Sequence, residues 1–304
     1  MTEVGALSAA PEFTQPWQAT INGLMVGPGT PYGWTMRQGI EELPSFRANT
    51  VGRPNAHGDF DAPFWADGRV LTFGFRVLRE ARWLYGATYE DAVTAFRRVM
   101  VPTLDLFEVW VNVPGRGPIR WDVRVSRHEI VTDPAYDIGL AVISTQFYAP
   151  DAVGHGPQQV GYAWFPELVG GLEFDLFTDG VEDTGCLEFG ERGETGRVRL
   201  ANDGTAESYP VFNVEGPALD GFEIVAVGQG RRIRWEGRLF PGDLLTIDAA
   251  HGTALLNGAA DRSGLFTRRE WFAVPPGDEL EVQFLPVGAS TGARLSVVSS
   301  SAWW

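Results

Sequence analysis

A single cysteine, Cys186, occurs in the 304-residue sequence, so no disulfide can close within the chain. It stands in a Gly/Glu-rich stretch with neither a CxxC partner nor a neighbouring histidine, and reads as an incidental free thiol. Histidine is scarce: four residues, with no HxH or HxxxH pair that would present two ligands to a metal. There is no GxGxxG and no Walker loop, so no cofactor is expected. No run of about 18 apolar residues exists, which argues against insertion in a membrane. The start, MTEVGALSAAPEF, lacks the basic end and apolar stretch of a secretion signal, and the expectation is a chain made in a cytoplasm. Basic residues are outnumbered, 24 against 39 acidic, for a net charge of -15. A broad basic surface for duplex nucleic acid is thereby excluded.

What is abundant is turn and strand chemistry: 37 glycines, 20 prolines and 12% aromatics. The length suggests two domains, each able to bury its own core. Residues 1–16 are small and polar and read as an arm. Residues 18–21 and 24–26 flank an Asn22-Gly23 hairpin turn, and residues 27–33, GPGTPYG, read as a surface loop. A hairpin is expected across Asp67-Gly68, joining Phe64-Trp65 to a strand in which Leu71, Phe73, Phe75 and Val77 alternate with polar positions. One helix is expected at residues 89–100, opened by Thr88 and Asp91 as a capping box and stopped by Pro102. Strands follow at 106–113, at 119–127 with Ile119, Trp121, Val123 and Val125 on the buried face, and at 140–148, the last a central strand. The strands around Phe73 and Trp121 should form the core of the first domain.

Composition shifts at residues 151–195, which read as a connecting segment whose aromatics pack along both domains. From residue 196 to 304 short strands recur with turn signals and no helical period. They include 244–248, 253–257 and 268–274. The fold class is therefore all-β, mainly antiparallel: two β-sandwich domains, at 17–150 with one helix and at 196–304. Trp303 and Trp304 should be packed rather than bare.

No residue set is arranged as a catalyst needs, and the chain does not read as an enzyme. Gly288-Ala289-Ser290-Thr291-Gly292 matches G-x-S-x-G, but a strand follows it and no histidine lies beyond His251, so it reads as a turn. His57, Asp59 and Asp61 alternate and could present a metal or acid/base set, though such residues in turns more often cap backbone N–H groups. Asp243 and Asp248 should tie the ends of a strand. Arg231, Arg232, Arg234 and Arg238 beside Trp235 could meet an acidic partner, or be the solvated face of an edge strand.

Several segments resemble the distal tail proteins (Dit, siphovirus-type minor tail proteins) of long-tailed bacteriophages, especially those of actinobacteria. In the second half these are Asn202-Asp203-Gly204-Thr205, Tyr209-Pro210-Val211, Val214-Glu215-Gly216-Pro217, Pro241-Gly242-Asp243 with Ile247-Asp248, Ala254-Leu255-Leu256-Asn257-Gly258, Arg269-Glu270-Trp271 and Pro275-Pro276-Gly277. In the first half they are Ile21-Asn22-Gly23, residues 53–58, the single helix and Ala149-Pro150-Asp151. The resemblance implies a virion protein at the distal end of the tail. Its first domain would form a hexameric ring, and its second, galectin-like domain would lie outside it. The partners implied are the chain itself, the tail tube protein, the tail-tip hub of the baseplate and the tape measure protein, with DNA passing through the lumen without specific binding. Carbohydrate or receptor binding at the tail tip is the alternative, a host cell-surface glycan facing Trp235 or Trp271.

Overall fold

The computed structural model describes residues 9–79, 85–86, 88–166, 195–288 and 292–304, and these form two compact units. Of these, the residues within 9–157, with 204–206 and 301–304, make the first, and those within 158–166, 195–203 and 207–300 make the second.

Strands of the first unit are β1 (Ala19–Ile21), β2 (Leu24–Val26), β3 (Gly33–Gln38), β4 (Phe46–Ala48), β5 (Val51–Gly52), β6 (Asp59–Phe60), β7 (Phe64–Ala66), β8 (Arg69–Leu78), β9 (Phe107–Val113), β10 (Gly117–Val131), β11 (Leu140–Ala149) and the start of β12 (Gly154–Trp164). All named pairings are antiparallel. Asn22 and Gly23, at φ 48° and 82°, close the β1–β2 hairpin in the left-handed conformation that such a two-residue turn requires. β10 is longer than its sequence pattern indicates because it serves two sheets. Residues 117–123 pair with β9, residues 124–131 with β11, and a bulge between Val125 and Arg127 re-aims the strand between them. β11 is central, between β10 and β8. Alternation stacks buried pairs across the ladder, Phe75 opposite Ile143 and Leu71 opposite Phe147.

The helix α1 (Tyr89–Val99) closes this core. Thr88 Oγ1 accepts from the Asp91 N–H at 3.1 Å, and Ala92, Val93 and Phe96 are buried. The Phe96 ring lies 5.3 Å from Phe75 and 5.5 Å from Tyr32. Tyr32 corrects the reading of residues 27–33 as pure surface. It is buried, its hydroxyl donates to Ala92 O at 2.8 Å, and desolvation pushes its pKa up to about 12. A second, four-residue helix, α2 (Pro134–Asp137), is capped by Asp133.

The hairpin expected across Asp67-Gly68 does not form. β7 pairs with β4, while β8 pairs with β11 and β3. Gly68 lacks the positive φ of a two-residue reversal, and Arg69, buried, fastens the chain by donating to Ala152 O at 2.8 Å and Gly39 O at 2.8 Å.

The second unit is a sandwich of two antiparallel sheets. One runs β19 (Ala260–Asp261), β18 (Thr253–Leu256), β17 (Leu244–Asp248), β14 (Val211–Glu215), β22 (Arg294–Trp303), with β12 next to β22. The other runs β13 (Arg197–Asn202), β21 (Asp278–Pro286), β15 (Phe222–Val227), β16 (Arg232–Trp235), β20 (Phe266–Arg269). Inward residues of both build one core, with rows such as Ile247–Phe212–Val297 across one sheet and Leu200–Leu280 across the other. The strand expected at 268–274 stops at Arg269. There the Glu270 carboxylate, rather than a ladder carbonyl, accepts from the Arg232 N–H at 3.0 Å. β12 and β22 each begin in one unit and end in the other, so the last residues return to the first unit. Trp303 is buried in its core, and the Trp304 ring lies 6.3 Å from Phe46.

Candidate functional site

Of the two tryptophans expected to face a glycan, Trp235 cannot. It is 1% exposed, stacked at 5.4 Å on Phe222, with its indole N–H donating to Arg262 O at 3.3 Å. The period of two in β16 sends Ile233 and Trp235 inward and the arginines outward. β16 is not an edge strand, since β15 and β20 flank it. Its cations are met by neighbouring carboxylates, Arg232 by Glu223 at 3.6 Å and Arg234 by Glu236 at 2.8 Å, so no cationic stripe results.

Trp271 lies outside any strand and lines a recess of about 490 Å3 with Glu207, Tyr209, Gln229, Arg231, Ala273 and Pro275. Three loops at one end of the sandwich meet there. Gly228 and Gly230, at φ 91° and 69°, make the β15–β16 turn that projects Gln229 and Arg231. The Gln229 amide donates to Ala273 O at 3.2 Å and Arg231 Nη1 to Trp271 O at 3.0 Å. Tyr209 donates to Glu207 Oε2 at 2.8 Å. Desolvation, then this bond and the carboxylate charge, raise the Tyr209 pKa, with Arg231 opposing. The indole is held edge-on to Phe266 at 5.1 Å, and the turn at Gly252 sits against it.

The other candidate residues are dispersed. His57, Asp59 and Asp61 are exposed on the β5–β6 ribbon, and among the described residues no three His, Cys, Asp or Glu side chains are grouped to hold a metal. Ser290 and Cys186 lie outside the described residues. Asp243 and Asp248 bind backbone: Asp243 accepts from Phe240 N–H at 2.9 Å and from Asn257 at 3.1 Å, which hold its carboxyl below the usual range. Asp248 accepts from Ala250 N–H at 2.8 Å and His251 N–H at 3.1 Å. Among the described residues no helix is long and apolar enough to cross a membrane.

Sequence reasoning missed an apolar surface on the first unit. Val51, Phe60, Phe64 and Trp65 are each more than half exposed, and Phe46 and Phe64 meet edge-on at 5.3 Å. Their only sequence signal was an aromatic density too high for a polar loop between turn residues.

Residues 203–295 match the family model of the siphovirus-type tail component, C-terminal domain. The chain also has the fold of the SPP1 Dit protein, described as a paradigm of the hub adsorption apparatus in phages that infect Gram-positive bacteria. The TM-score is 0.61 at 10% identity, covering 95% of this chain and 100% of that one. The activated baseplate of phage P2 with calcium is similar at a TM-score of 0.49 and 8% identity, covering 93% of this chain and 98% of that one. No curated protein matches the chain by sequence.

Proposed function

We propose that this tail component is a distal tail protein. Its first unit forms a hexameric ring that joins the tail tube protein to the tail-tip hub, near the end of the tape measure protein. Its role is structural and no reaction is assigned to it. The observation that carries the reading is the tail-component domain at 203–295 within a chain whose described fold is that of a distal tail protein along almost its whole length.

Two physical features support it. Val51, Phe60, Phe64 and Trp65 are left bare in a single chain and gain most if a neighbouring subunit covers them. A net charge of -15 keeps a DNA strand from adhering as it passes through a lumen. Subunit contacts are assigned mainly to residues 17–150, and residues 196–304 to the outside of the ring. The test is the mass of the purified chain by light scattering with electron micrographs of the same peak. The mass of a hexamer and a ring with a central hole are expected. A chain that stays monomeric both alone and mixed with its tail-tube and hub proteins refutes the ring.

A further inference from the structure

The recess at Trp271 is an offer of ligand chemistry that a connector does not require. We infer that it binds a neutral saccharide unit, with the Trp271 indole as the apolar wall and Arg231, Gln229 and Glu207 as donors and acceptors to hydroxyl groups.

Three observations carry this. The volume, about 490 Å3, falls in the range of small-molecule sites, and an aromatic wall beside several polar side chains suits a ring with one apolar face and a hydroxylated rim. The polar groups are already fixed from behind. Arg231 spends one donor on Trp271 O, Gln229 one on Ala273 O, and Glu207 one oxygen on Tyr209, so their remaining donors and acceptors are oriented before a ligand arrives.

The charges decide the class. Arg231 and Glu207 stand in the same recess and cancel, which favours a neutral ligand over a phosphate or a cation. Arg232, Arg234 and Arg268 each have a carboxylate within 4 Å, whereas the hydrogen bond of Arg231 is to a backbone carbonyl. The site lies on loops at the end of the strands, where contact residues vary over a rigid frame.

The test is ligand-observed NMR on the full chain with galactose, glucose and N-acetylglucosamine as free sugars, and with dextran and a galactan as chains. Inorganic phosphate and a proline-rich peptide serve as competing classes. Saturable binding to a neutral sugar is expected, weakened about tenfold or more in Trp271→Ala and in Arg231→Ala. Binding by free sugars assigns a single ring to the recess, and binding by chains alone assigns a polymer; both support the inference. Because Trp271 also packs on Phe266, its loss can disturb folding. Gln229→Ala, at an exposed position in the turn, is the second variant, with weaker binding at an unchanged melting temperature expected. The inference is overturned if none of these sugars binds, if binding survives all three substitutions, or if only phosphate or the peptide binds. None of these results depends on whether the chain forms a ring.

Discussion

Replacing Trp121 by alanine tests the packing of the first unit most directly. Trp121 is 2% exposed on β10, opposite Val109 on β9, with its ring against Gly154. Burial of an indole in place of a methyl group removes roughly 150 Å2 of mostly apolar surface from water, about 4 kcal/mol at about 25 cal/mol per Å2. The cavity left behind adds to that. One effect runs the other way: among the described residues the buried Trp121 Nε1 has no hydrogen-bond partner, so its removal returns about 1 kcal/mol or more of desolvation cost. The expected loss is about 3–5 kcal/mol.

Trp121→Phe, which discards the unpaired N–H and keeps a ring, should lose about 1–2 kcal/mol. Gly154 supplies a coupled control. A Cβ there would stand 2.7 Å from the Trp121 ring and 2.6 Å from Ile119 Cγ2, so Gly154→Ala overpacks the parent and should be partly relieved once the indole is gone. The assay is urea unfolding followed by hydrogen exchange of the β9 and β10 amides, so that this unit is read by itself. A Trp121→Ala chain within 1 kcal/mol of the parent, or additive effects of Trp121→Ala and Gly154→Ala, would refute the reasoning.

Three further outcomes are expected. Gly204→Ala drives its new methyl group into the backbone carbonyl of Ala302, which cannot swing aside, and should cost about 2–3 kcal/mol by thermal unfolding. Thr88→Ala removes the N-cap of α1 and should cost about 1 kcal/mol, seen as faster exchange of the first-turn amides. His128 stacks on Phe96 at 5.8 Å with Nε2 buried, and desolvation, assisted by Arg97, lowers its pKa. The unfolded chain therefore takes up the proton first. Stability is full above about pH 6.5 and declines as the pH falls from there towards the lowered folded value. His128→Gln should flatten that decline in urea midpoints measured across the same range, and an unchanged profile would contradict it.

Local chemistry made much of this fold legible. The Asn22-Gly23 turn, the Thr88 cap and the alternation of Ile119, Trp121 and Val123 each act within a few residues, and all three appear in the structure as read. The Asp67-Gly68 dipeptide has the composition of a reversal, yet the chain there runs on into β8. What settles it is Arg69 anchored to Ala152, 83 residues away. The candidate site divides the same way. Trp235 and Trp271 are both aromatic residues beside arginines in sequence, and their exposure depends on parity and on neighbours from other strands. Trp235 points inward from a strand, and Trp271 follows the end of one, where a glutamate side chain takes over the ladder. The recess needs residues from 207, 229, 231 and 271 to meet, and no local period encodes that meeting.

The sequence by itself determined the all-β class, the helix at 89–100 and most of the turns, because propensity, capping and alternation are short-range effects. Only the tertiary structure decided that β10 serves two sheets, which strand pairs with which, that the last residues return to the first unit's core, and which tryptophan is open. Those depend on contacts between residues far apart in the chain, whose free energy is realised only when the whole sandwich closes.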